Sequence, residues 1–169
     1  MNLNSILSVL AATNNANEIG KQFNVESEKV TQVITAALPT LIGAMQKNAA
    51  TESGASSLSQ ALNSHLGDNT INLSNDSLID GSKILSHILG NNSNNVFSAL
   101  AKQTNTSSSQ VSGILAAIAP LLLGLLGNSQ KSANTGMGDL GGMLGSILGG
   151  SSKQSSGGLL GSILGGFLK

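Results

Sequence analysis

The chain holds few side chains able to do chemistry. His65 and His87 are its only imidazoles. Neither stands in an HExxH frame or any comparable metal-ligand spacing. Each neighbours apolar positions and reads as a helix-face residue. Asp76, Asp80 and Gly81 bear a faint likeness to a calcium loop, but the ligand series and the closing Glu are missing. Serine is abundant, yet no serine sits in a GxSxG context with a partnered histidine and acid. Cysteine is absent, which excludes disulfides, thiolate metal sites and cysteine nucleophiles. The expectation is a protein that is not an enzyme, with no catalytic, cofactor-binding or metal residues and no small-molecule substrate.

Charge points the same way. Eight lysines balance eight acids, and there is no arginine. Arginine is the side chain whose planar fork grips phosphate and carboxylate. A basic face and aromatic stacking surfaces, the usual marks of a nucleic-acid binder, are both missing. Leu100 to Ser112 does have the rhythm of a helix-turn-helix, and Ile19 to Val33 repeats it. A reading helix presents polar and basic groups to base edges. Here the second helix offers Ser107, Ser108, Ser109, Gln110 and Ser112 and then turns apolar. Nucleic acid is therefore a disfavoured partner.

The elements that must position these residues are helices. Apolar residues make up 40% of the 169 positions, but aromatics only 2%. A core of Leu, Ile, Val, Ala and Met suits closely packed helices, and the alternating β-branched and aromatic runs of strands are absent. The chain also repeats itself. Shifted by 81 positions, Lys21 to Gly43 lies over Lys102 to Gly124, and nine of 23 positions are identical. The identities include Asn24/Asn105, Val30/Val111, Pro39/Pro120 and Gly43/Gly124. With a gap, Leu7-Ser8 falls near Leu85-Ser86.

Each repeat reads as three helices. In the second, Ser82 caps a helix that stops at Gly90, Asn94 or Asn95 caps the next, and Thr104 to Ser107 turns into a long helix from about Ser108 to Leu126. In the first, the long helix runs from about Glu26 to Lys47. Its apolar positions Val30, Val33, Ile34, Ala37, Leu38, Leu41 and Ile42 follow the helical period. Pro39 and Pro120 lie inside these long helices. Each removes a hydrogen bond and kinks the axis, so the expectation is a bend that wraps the helix around the core. Between the repeats, Ser57 to Leu66 reads as a helix stopped at Gly67, and Asp68 to Gly81 as a polar connection. Gly113 to Gly127 carries no charge, but a membrane span needs about 20 apolar residues. Its partner in the first repeat is flanked by Glu28, Lys29 and Lys47. Equivalent helices should share an environment, so burial between helices is expected.

His87 to Gly127, with Ile88-Leu89-Gly90, Ala99 to Lys102 and Ala119-Pro120-Leu121-Leu122 followed by Gly124, resembles the YidB-like family of uncharacterised bacterial helical proteins. The glycine-leucine tail is similar to that family too. The resemblance implies a helical fold and a bacterial source, and supplies no catalytic residues.

Twelve of the 21 glycines lie between Gly136 and Gly166. GMLGSILGG at 142–150 recurs as GLLGSILGG at 158–166, and Ser151 to Ser156 links the copies. Leu140, Met143, Leu144, Ile147 and Leu148 make one helical stripe; Leu159, Leu160, Ile163, Leu164, Phe167 and Leu168 make the other. Glycine costs a helix about 1 kcal/mol relative to alanine, so either segment alone in water should stay unfolded. For a stripe to become ordered, the protein's own body, a second copy of the chain or a lipid surface must cover it; otherwise the tail is a flexible, low-complexity extension. Lys153 and Lys169 give little attraction to anionic lipid.

The expected architecture is all-α: a helical bundle of two tandem three-helix units with kinked long helices, plus a glycine-rich C-terminal tail. The first unit spans 1–50, a connecting helix and loop 51–82, the second unit 83–128 and the low-complexity tail 129–169. The leading functional expectation is a bacterial cytoplasmic structural or interaction protein whose tail stripes bind a second copy or another protein. The alternative is a peripheral membrane-surface protein anchored by the tail. A helix-turn-helix DNA binder comes third.

Overall fold

A computed structural model describes residues 2–134 and 139–149. The helices are α1 (Leu3–Leu10), α2 (Thr13–Phe23), α3 (Ser27–Ala49), α4 (Glu52–Ser64), α5 (Asn75–Leu89), α6 (Ser93–Thr104), α7 (Ser108–Ser132) and α8 (Leu140–Gly149). A 3-10 turn, Gly90–Asn92, joins α5 to α6. Among the described residues there is no strand, so the all-α reading holds.

The local causes are visible at the helix starts. Asn2, Thr51, Ser74 and Ser107 each accept a hydrogen bond from a first-turn backbone N–H of the helix that follows. Such a cap satisfies one of four orphan donors and is worth about 1 kcal/mol. Ser107 and Gln110 form a reciprocal capping box at the start of α7. At the other ends, α2 and α6 both finish on an asparagine in the left-handed region. Asn24 has φ 55°, ψ 51° and Asn105 has φ 56°, ψ 47°. These two residues are repeat partners, and so are the 108 and 27 starts of the long helices.

Several boundaries differ from the sequence reading. Ser82 is not a cap: α5 begins at Asn75 behind Ser74, so the expected polar connection is in part helix. Its polar first turn, with Asp76, resembles a loop in composition, while Gly81, Leu85, Ile88 and Leu89 bury its other face. The helix after the 3-10 turn starts at Ser93, without a side-chain cap from Asn94 or Asn95. α4 starts earlier than expected, behind Thr51, and ends at Ser64 rather than at Leu66. α7 runs six residues past Leu126.

α7 is the axis of the core. From Ile114 to Gly124 every residue is buried, and α1, α2, α3, α4, α5 and α6 all pack on it. By length and composition it could cross a membrane, with mean hydropathy 1.9 over its most apolar window, but 78% of that window is buried among the other helices. α3 is different. It buries Val30, Val33, Ile34, Ala37, Leu38, Leu41, Ile42 and Met45 and exposes Gln32, Thr35, Pro39 and Thr40. The expectation that the two long helices share one environment is therefore overturned. Thr35 and Thr40 are matched in α7 by Ala116 and Leu121, both buried, so the first repeat has a wet face that the second lacks. Pro39 sits on that wet face, whereas Pro120 is inside the core.

Candidate docking surface

α8 is the first of the two glycine-leucine segments, and it lies on the body of the protein against α3 and α4. Leu140 and Leu144 are fully buried and Ile147 is 2% exposed. Met143 and Leu148 are half-buried and pack at the edge of the same core. At roughly 1.5–3 kcal/mol for each buried Leu or Ile, the three anchors supply about 4.5–9 kcal/mol. Gly141, Gly142 and Gly145 cost about 1 kcal/mol each as helix residues. Burial of these anchors offsets the glycine penalty, a contribution the segment lacks when alone in water. Gly145 also lets the segment settle close to α3: a Cβ at that position would stand 2.9 Å from the Gln46 side-chain amide. The second stripe, Leu159, Leu160, Ile163, Leu164, Phe167 and Leu168, lies outside the described residues.

The ionisable residues assemble elsewhere. At the C-terminal end of α4, His65 Nδ1 is 2.6 Å from Asp68 Oδ2, and its Nε2 is 3.4 Å from Asp80 Oδ2 on α5. The imidazole is only 14% exposed, the two carboxylates 43% and 49%. A neutral ring donates from one nitrogen only; an imidazolium would donate to both acids. The arrangement ties the turn after α4 to α5. Gly124 of α7 makes room for it, because a Cβ there would meet the backbone carbonyl oxygens of His65, at 2.7 Å, and Asp68. Gly127 does the same for the carbonyl of Leu62.

Beside this tie, His65, Asp80, Lys83 and His87 rim a cleft of about 360 Å³ with Leu58, Ile84 and Leu123 among its lining. Both histidines of the chain thus face one groove, although 22 positions separate them. Spacing along one helix could not reveal that pairing, since it joins two helices through α7. Among the described residues, no three His, Asp or Glu side chains are grouped to hold a metal ion. Asp76 and Asp80, read as a faint calcium loop, lie on a helix instead. Gly81 serves a packing role: its missing Cβ lets α5 lie on the backbone of Ala116 in α7. The helix-turn-helix pair α6–α7 offers one polar turn at Ser108 to Gln110, after which Val111, Ile114 and Leu115 are fully buried. Gln110 is committed within that turn: its amide nitrogen donates to the carbonyl oxygens of Phe23, at 3.4 Å, and Asn24, at 3.3 Å.

No curated protein and no solved structure is found to match the chain. A family model does match, over residues 5–129, and it spans both repeats but not α8. It agrees with the resemblance carried by His87 to Gly127 in pointing to an uncharacterised bacterial family, though it does not bear the YidB-like name. The chain belongs to that family, DUF937, described as bacterial protein of unknown function.

Proposed function

We propose that the protein is a non-enzymatic interaction protein whose C-terminal tail joins copies of the chain. One observation carries this. The chain contains two near-identical glycine-leucine segments, 142–150 and 158–166, and α8, which includes most of the first, fills the place on α3 and α4 with Leu140, Leu144 and Ile147 buried. One described place and two segments of this kind support the reading that the second stripe, Leu159 to Leu168, is what joins one copy of the chain to another. An uncovered stripe of Leu, Ile and Phe is stabilised by removing it from water, and the matching stripe of a second copy is always at hand. Small residues along the segment, Gly157, Gly158, Gly161 and Ser162, allow two such helices to approach closely.

The reading asks for no reactive centre. The His65 cluster acts as a structural tie, and α7 is used up in the core rather than offered to a membrane. Light scattering on a sizing column, comparing the full chain with one ending at Gly150, tests the proposal. The cut removes the second segment and leaves α8 in place.

A further inference from the structure

We infer that the place occupied by α8 on α3 and α4 has a second occupant within the same chain, the segment 158–166. The inference rests on the reading above, that the tail is the docking element, and specifies what the two copies compete for. Eight of nine residues are identical between 142–150 and 158–166; only Met143 and Leu159 differ. The two deepest anchors within the motif, Leu144 and Ile147, recur as Leu160 and Ile163, and Gly145, which lies over Gln46, recurs as Gly161. A surface that accepts one of these helices presents the same pockets to the other.

The two occupants are not equal. Leu140, fully buried, corresponds to Ser156, so the second segment lacks one anchor. Its tether from Asn134 is also longer, and effective concentration falls as roughly the −3/2 power of tether length. The 16 extra residues cost it about fivefold by that rule. α8 therefore holds the place at rest, and 158–166 takes it when α8 leaves. Exchange would keep the α3–α4 surface covered while α8 is offered to a partner, so the chain always presents one stripe and never leaves its own body bare.

The chain's lack of cysteine makes the exchange measurable by site-directed cross-linking. Two full-length reporters are made, Gln46→Cys with Gly145→Cys, and Gln46→Cys with Gly161→Cys, and treated with a short bismaleimide. Each is compared with and without Leu144→Asp plus Ile147→Asp. The expected result is strong intrachain linking of 46 to 145 in the parent. With the aspartates present that link is lost, and the 46–161 link rises about tenfold and runs as a monomer. If 46–161 linking is unchanged by the aspartates, the inference is overturned. If it appears only as a covalent dimer, the occupant is a second copy and the same-chain inference is overturned. Leu144→Ser, which adds no charge, replaces the aspartates if circular dichroism shows the body unfolded. Seat occupancy is read within one chain, whereas assembly is read by light scattering, so either proposal can fail alone.

Discussion

Asn24 and Asn105, 81 positions apart, adopt the same left-handed backbone, and each ends a helix that feeds a long one. The residue after each also donates its N–H to an equivalent carbonyl: Val25 to Gly20 and Thr106 to Ala101, both at 2.9 Å. The left-handed region penalises a Cβ, and asparagine tolerates it better than most residues. Asn24→Ala and Asn105→Ala should each destabilise by about 1 kcal/mol, while the glycine variants stay near neutral because glycine reaches this region without strain. Urea unfolding midpoints check the contrast.

Gly43 and Gly124 are also repeat partners, but their surroundings differ. A Cβ at Gly43 meets nothing within 4 Å, whereas at Gly124 it meets the carbonyls of Asp68 and His65. Gly43→Ala should stabilise by about 1 kcal/mol through helix propensity. Gly124→Ala should destabilise by about 1–3 kcal/mol through overpacking. Opposite shifts in thermal midpoint are expected; shifts of one sign would mean that α4's terminal turn does not lie on α7.

Only one of the two histidines is tied. His65→Ala removes the bond to Asp68 and the contact with Asp80, and should destabilise by about 1 kcal/mol. His87 is exposed, and His87→Ala should stay within about 0.5 kcal/mol of the parent. Chemical denaturation of the two variants side by side gives the comparison.

Gln110 does two jobs: it closes the capping box with Ser107 and holds the carbonyls of Phe23 and Asn24. Ser107→Ala should cost about 1 kcal/mol and Gln110→Ala more. The double variant should be less destabilised than the sum of the singles, since the box is lost with either partner, and a double-mutant cycle should show coupling of at least about 0.5 kcal/mol.

The helices were legible where apolar spacing was regular, as in Val30 to Ile42. The start of α5 was not. Ser74 to Gly81 is mostly polar and ends in a glycine, so it reads as a connection, whereas the missing Cβ of Gly81 is what lets α5 lie on α7. The repeat is legible, and Thr35 against Ala116 and Thr40 against Leu121 carry the signal that its long helices are unequally buried. That His65 and His87 line one cleft is not legible in the sequence, because tertiary packing of α4 and α5 on α7 places them there. The apolar stripe of α8 is legible in the sequence; the surface that covers it is not, because it forms only when α3 and α4 fold beside each other.

Light scattering on a sizing column tests the central proposal most directly. The full chain should run as a dimer or larger assembly, and the chain ending at Gly150 as a monomer with unchanged helicity by circular dichroism. The same oligomeric state for both, whether monomer or assembly, would contradict the proposal that the second glycine-leucine segment joins copies of the chain.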